Sequence, residues 1–200
     1  MPANEVAMTE AETTEIVAWL EAREATYQVN GGWAVDALLG RQTRQHRDLD
    51  IFVDAQVIGE LLAWLDERDY VVAEDWLPIR IELVARHGRV DVHPMTIQAN
   101  GDGIQRGFGD ETFRHAAKDR TSGVIGGGTV VVASAARLRK LREGYAHRNV
   151  DLHDLAILEI SDQTHRSSMD QLSATGSTLL PRGPFVPQAQ ALGAPQRDPV

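Results

Sequence analysis

The chain has no cysteine among its 200 residues, which excludes a disulfide framework and any thiolate metal site. Basic residues are in short supply, 20 against 29 acidic ones, for a net charge of −9 and a pI near 5.2. That balance argues against a general nucleic-acid binder, which must neutralise many phosphates. No apolar run approaches the length of a membrane helix. Met1 to Glu15 carries Glu5, Glu10, Glu12 and Glu15 with no basic n-region, so no secretory signal is visible and a cytoplasmic protein is expected. With 42% hydrophobic and 24% charged residues, one globular core of ordinary size is expected, followed by a tail.

What is present is concentrated between Asn30 and Asp54. In Asp48-Leu49-Asp50-Ile51-Phe52-Val53 the apolar residues are mostly β-branched or aromatic, which predicts a strand. Strand side chains alternate, so Asp48 and Asp50 share one face while Leu49, Ile51 and Val53 point into the core. Two carboxylates this close repel unless a cation lies between them. Hard oxygen ligands suit Mg²⁺, which takes one or two carboxylates and completes its shell with water and substrate phosphates. Upstream, Gly31-Gly32 separates the apolar segment around Ile16 to Leu20 from Trp33 to Leu39. A Gly-Gly turn opening a helix leaves bare N–H groups that, with the helix dipole, favour phosphate. Arg89-Val90-Asp91-Val92-His93 alternates again and places Asp91 and His93 on one face. A third carboxylate on a neighbouring strand can complete a metal site or take a proton from a hydroxyl.

Along the chain, Thr9 and Glu12 form a capping box for a helix from Glu10 to about Ala25, followed by a strand at Tyr27 to Val29. Val57, Ile58, Leu61, Leu62 and Leu65 recur at helical spacing up to Arg68. Tyr70 to Val72, Ile79 to Val84 and the Asp91 segment read as consecutive strands with short turns, which predicts an antiparallel or mixed sheet. The segment from Asn100 to Ser122 shows no clean period. Gly126-Gly127-Gly128 reads as a hairpin turn, Ser134 as a helix cap, and Asp151 to Ile160 as a further helix. Five of the eight prolines lie beyond Ser161, where apolar periodicity vanishes, so residues 161–200 read as a disordered tail.

Asn30-Gly31-Gly32-Trp33-Ala34-Val35-Asp36, followed by Gly40, Arg44 and His46-Arg47-Asp48-Leu49-Asp50-Ile51, resembles the small lincosamide nucleotidyltransferases and, more distantly, the aminoglycoside 2''-nucleotidyltransferases. The likeness runs on through Trp76 to Leu83 and Val90 to Pro94, and returns at Gly144-Tyr145 and His153-Asp154. It implies an α/β (α+β) polymerase-beta-like nucleotidyltransferase fold, a small mixed sheet flanked by helices with a short helical C-terminal part. The corresponding divisions are a core over residues 1–133, helices packed on it over 134–160, and the tail. It further implies one or two Mg²⁺ ions held by Asp48, Asp50 and Asp91, with Gly31 and Gly32 near the phosphates of a nucleoside triphosphate. Asp91 is either base or further ligand.

The reaction so implied moves a nucleoside monophosphate, AMP from ATP, onto a hydroxyl of an antibiotic, a lincosamide first and an aminoglycoside second. Pyrophosphate is released. Arg44, Arg80 and Lys140 are candidates to offset the triphosphate charge, Arg44 being best placed between the glycines and the aspartates. Trp33, Trp76, Arg80, Glu82 and Tyr145 are candidate substrate contacts, although core packing is the first reading of the tryptophans, Tyr145 serves equally as packing, and Glu82 as a partner for Arg80. His46 and His93 read as hydrogen-bonding residues beside the site, with transition-metal ligation as the other reading. A kinase reading of His46-Arg47-Asp48 fails because Val53 stands where that motif needs asparagine. The cluster from Arg137 to Arg142 keeps open a toxin-like enzyme that modifies RNA or protein. Monomer and homodimer are both compatible with the sequence.

Overall fold

A computed structural model describes residues 7–175, with side chains described through residue 163. The chain divides into two compact units, residues 1–165 and 166–200, and the described part of the second is helical. Thr9 caps the first helix, α1 (Glu10–Glu21), its hydroxyl accepting from the Glu12 amide at 3.2 Å. The helix stops short of Ala25 because Glu24 takes a positive φ of 52°. Strand β1 (Tyr27–Val29) leads into α2 (Gly31–Leu39), which ends on Gly40 in the left-handed conformation. Strand β2 (Leu49–Asp54) and helix α3 (Ile58–Asp66) follow, then β3 (Val71–Trp76), β4 (Arg80–Ala85) and the ten-residue β5 (Gly88–Ile97).

The aperiodic segment before Ser122 holds two short strands, β6 (Gly103–Arg106) and β7 (Thr112–His115), and the start of β8 (Arg120–Ile125). Four-residue strands are too short to display an alternation, which is why the sequence did not announce them. The glycines at 126–128 form the hairpin between β8 and β9 (Gly128–Ala133). All strands join one nine-stranded sheet of order β3-β4-β5-β2-β1-β9-β8, with β6 on the far half of β5 and β7 beyond it. β2 runs parallel to β5 and β1 parallel to β9, while the other pairs are antiparallel. The mixed sheet with flanking helices agrees with the expected class, but it is larger than the small sheet anticipated.

One hydrophobic core joins Leu49, Ile51 and Val53 of β2 and Val90 and Val92 of β5 to Ile16 and Leu20 of α1, Trp33 of α2 and Leu61 and Leu65 of α3. Leu138 of α4 (Ala135–Lys140) and Leu158 of α5 (Asn149–Thr175) enter the same core and tie the last helices to the sheet. α5 does not end at Ile160 as its apolar pattern suggested. Ser161 is buried, its hydroxyl donating to the Leu38 carbonyl at 3.0 Å, and Asp162 accepts from Arg139 at 2.6 Å. Polar side chains that find partners continue the helix where hydrophobic periodicity fades. The proline-rich part of the expected tail, residues 176–200, lies outside the described residues.

The loop between α2 and β2 is held by a buried pair. The Asp36 carboxylate accepts from His46 Nε2 at 2.7 Å and from the amide and hydroxyl of Thr43 at 2.9 and 2.5 Å. Burial pushes the Asp36 pKa up, but His46 and Thr43 outweigh it and hold the carboxyl below its usual range. Replacing Asp36 by alanine strands these donors and is expected to cost about 3 kcal/mol in urea unfolding, with Asp36→Asn losing distinctly less. A depressed carboxyl pKa contributes stability above the unfolded value, about 3.9. The gap between wild type and Asp36→Asn therefore narrows as the pH falls below that value.

Candidate active site

Leu49, Ile51 and Val53 are fully buried, so alternation turns Asp48 and Asp50 to the opposite face, as expected. The register of the parallel pair sets Asp50 directly beside Asp91, and the antiparallel β4 sets Glu82 on the other side of Asp91. Carboxylate oxygens of Asp50 and Asp91 and a ring nitrogen of His93 lie within 4.8 Å of one another, close enough to hold a metal ion. Asp48 stands outside this group, with Arg47 donating to its carboxylate at 2.5 and 2.8 Å. Asp48 of the expected triad is thus paired with a neighbouring guanidinium, while Asp50 and Asp91 stand together with His93.

Gly31 shows why glycine occupies the turn. Its φ is +60°, and a Cβ there would fall on the Asp50 carboxylate. At Gly32 a Cβ would meet Arg44 and His46, so the backbone approaches the acidic strand and its basic neighbour as closely as it can. The Asn30 side chain does not cap α2; it exchanges hydrogen bonds with Gln28. The first turn of a nine-residue helix is left without a side-chain cap and opens toward Asp50.

In front of this turn lies a cleft of about 330 Å³ lined by Gly31, Gly32, Asp48, Asp50, Arg44 and Arg142 among others. A second cavity of about 270 Å³ adjoins it and shares Gly31, Asp50 and Arg142, adding His93 and Tyr145. Arg44 donates to both oxygens of Asp154 at 2.9 and 3.0 Å, and Arg142 donates to the same carboxylate at 2.6 Å. Arg148, also at the cleft, pairs with Asp151 and holds that carboxyl down to about 2.

The two central carboxylates differ electrostatically. Burial, and then the negative charge of Asp48, push Asp50 up to about 6, with Asp91 adding to the rise and Arg47 opposing it. Burial also acts to raise Asp91, but His93 and Arg80 overcome it and keep this carboxyl below the usual range. One acid is therefore costly to ionise without a cation, and its neighbour stays ionised.

The other sequence candidates separate clearly. Gly31, Gly32, Arg44, Asp48 and Asp50 share the first cleft, and Tyr145 lines the second with Asp91's neighbour His93. Trp33 is not a cleft wall: it is 1% exposed and packs on His46 at 4.5 Å between ring centres. Lys140 is exposed and lines neither cavity; Arg142, two residues on, is the cation that reaches the cleft. Arg80 is already engaged by Asp91, Glu82 and Glu74 at 3.0, 2.9 and 3.4 Å. Glu82 pairs with Arg80 and Arg89, and Trp76 stands 45% exposed at the end of β3, edge-on to Phe108. Sequence reasoning missed Arg142 and Asp154 as site residues. Their only advance signal was the basic run at 137–142 and the His153-Asp154 match.

The raised Asp50 pKa carries a sign that can be measured without substrate. Its protonated form is favoured by folding, so that stability is complete below about pH 4 and is lost as the pH rises through 6. In EDTA at pH 7.5, Asp50→Asn is expected to unfold at higher urea than wild type, by about 2 kcal/mol, with the difference fading toward pH 4. Equal stability at both pH values would disprove the assignment.

The model of the aminoglycoside-2''-adenylyltransferase family matches residues 12–158. A lincosamide resistance protein of Staphylococcus haemolyticus is 36% identical over an alignment of 122 positions that covers 56% of this chain and 76% of that protein. A 2''-aminoglycoside nucleotidyltransferase of Klebsiella pneumoniae is 40% identical over 52 residues, 26% of this chain and 29% of the relative. Among solved structures, the lincomycin-bound lincosamide antibiotic adenylyltransferase LnuA aligns with a TM-score of 0.71 at 28% identity, over 76% of this chain and 98% of that one. ANT(2'')-Ia in complex with adenylyl-2''-tobramycin shares the fold, with a TM-score of 0.56 at 20% identity over 80% of this chain and 98% of that one. The match spans the glycine turn, the acidic strands and both arginines that meet on Asp154, and the chain belongs to the aminoglycoside-2''-adenylyltransferase family of nucleotidyltransferases.

Proposed function

We propose that this protein transfers AMP from ATP to a hydroxyl of a lincosamide antibiotic, releasing pyrophosphate and inactivating the drug. The observation that carries the proposal is the placement of Asp50 and Asp91 side by side in front of the Gly31 turn. The likeness to LnuA and to the staphylococcal lincosamide resistance protein supports the lincosamide as acceptor.

Charge argues for a divalent cation. Arg44, Arg47, Arg142 and Arg148 face Asp48, Asp50, Asp151 and Asp154 in the cleft, so its own charges balance and a triphosphate would add an uncompensated excess. The half-buried carboxylates of Asp50 and Asp91 offer hard oxygen donors that suit Mg²⁺, and a cation there offsets the burial and the repulsion that together lift the Asp50 pKa. When bound, such an ion stabilises negative charge on the phosphate oxygens around the attacked phosphorus. The chain supplies the rest. The uncapped amides of α2 and the guanidinium of Arg44 orient the phosphates, and Arg142 fixes Arg44 through their shared aspartate. Asp91, held ionised by His93 and Arg80, accepts the proton of the attacking hydroxyl.

An aminoglycoside is the second acceptor, supported by the family match and by the likeness to the 2''-aminoglycoside nucleotidyltransferase of Klebsiella pneumoniae. Mass spectrometry after incubation with Mg²⁺ and each nucleoside triphosphate separates the two. Lincomycin or clindamycin gaining one AMP is the expected result, and tobramycin alone reacting would move the assignment. No product with any drug or nucleotide would overturn the proposal. Asp91→Asn is expected to lower kcat at least 100-fold with little change in nucleotide KM. At limiting Mg²⁺ the rate should climb through about pH 6 as Asp50 ionises, and saturating Mg²⁺ should shift that rise to lower pH.

A further inference from the structure

Behind Asp91 runs a buried polar chain that no part of the reaction described above uses. Gln105 on β6 is 7% exposed and His115 on β7 is 2% exposed. The Gln105 side-chain nitrogen lies 3.2 Å from the Ile79 carbonyl oxygen and 3.1 Å from His93 Nδ1. Its oxygen lies 3.0 Å from His115 Nε2. A backbone carbonyl can only accept, so the Ile79 oxygen fixes which end of the Gln105 amide faces it. The NH₂ group must point at Ile79 and His93, and the amide oxygen at His115.

Both histidine tautomers follow from that one constraint. His93 Nδ1 meets a donor and must present its lone pair, so the ring proton resides on Nε2. His115 Nε2 meets an acceptor and must carry its proton, which leaves His115 Nδ1 as an acceptor. Arg137, whose guanidinium nitrogen stands 3.5 Å from that Nδ1, is the matching donor. The His93 ring is also fixed in plane, stacked on Phe52 with centres 4.5 Å apart and an interplanar angle of 16°. Its Nε2 faces Asp91 Oδ1 at 3.6 Å, beside the Arg80 bond to the same oxygen.

We infer that His93 is a positioning residue, locked by Gln105 and His115 as its neutral Nε2–H tautomer so that it orients the Asp91 carboxylate and serves neither as metal ligand nor as proton acceptor. A protonated Nε2 has no lone pair for a cation, although its distance to Asp50 and Asp91 would permit one. The lone pair it does have is closed off by Gln105. With Oδ1 of Asp91 bonded to Arg80 and facing the His93 N–H, Oδ2 is the oxygen left for chemistry. This role for Oδ2 rests on the nucleotidyltransfer reading, whereas the tautomer does not.

Long-range ¹⁵N–¹H NMR of histidine-labelled wild-type protein tests the tautomer with no turnover at all. The expected spectrum shows His93 protonated on Nε2 in EDTA and unchanged at saturating Mg²⁺. A proton on Nδ1, or loss of the Nε2 proton when Mg²⁺ is added, overturns the inference. Calorimetric Mg²⁺ affinity adds a second reading, expected within threefold of wild type for His93→Gln, which keeps a donor; a ligand role would cost tenfold or more. Gln105→Leu should release the tautomer bias in the same spectra and reduce kcat about tenfold while leaving the nucleotide KM unchanged. If His93→Ala matches wild type in kcat where His93→Gln does, the orienting contact is without effect and the positioning role fails. Should no drug be modified by the wild type, the proposed function falls while the tautomer spectra still decide this inference.

Discussion

The parallel pairing of β2 with β5 is the constraint on which the cleft depends. Its register aligns Leu49 with Val90, Asp50 with Asp91 and Ile51 with Val92, so two buried apolar rows flank one acidic pair. A slip of a single residue would turn every one of these side chains to the other face, burying the aspartates in the core and exposing the valines. The hydrophobic rows therefore hold the acids in place. Burial energy of ordinary core residues maintains a repulsive charge pair that local interactions alone would push apart.

Around that pair the protein manages charge unequally. Asp91 has two cationic or donor neighbours and stays ionised, Asp48 is tied to Arg47, and Asp50 has no basic side chain hydrogen-bonded to it among the described residues. The result is one carboxylate that ionises only near pH 6 and that an external cation would bring down. Farther out, Glu82 is closed by Arg80 and Arg89, which keeps a third acid of the same row from competing. Such local balancing explains how a chain of strongly negative net charge presents a cleft whose nearest charges cancel.

What the sequence made legible was whatever depends on short-range period. The alternation in β2 and β5, the capping by Thr9 and Ser134 and the hairpin at the triple glycine were all readable, because each involves residues within one strand or one turn. The β6 and β7 strands were not, being too short to alternate, and with them Gln105 and His115 stayed hidden. Lys140 was preferred to Arg142 because a six-residue helix does not define its own phase. Of the two readings of Trp33, packing is the one the helix selects, turning the ring inward onto His46, while its part in substrate binding falls away. The pairing of Arg44 with Asp154 joins positions 110 residues apart and leaves no local trace.

That last pairing bears on the order in which the molecule comes together. Arg44 belongs to the loop before β2, Arg142 follows α4, and one carboxylate on α5 fixes both. During synthesis the acidic strands and the glycine turn emerge early, but the arginine wall across from them has no anchor until Asp154 has been made and its helix docked through Leu158. A nascent or C-terminally nicked chain would thus carry the acids without an aligned counter-wall. Assembly of the cleft is coupled to arrival of its last helix, so a chain interrupted before that point lacks the shared carboxylate that aligns its arginines.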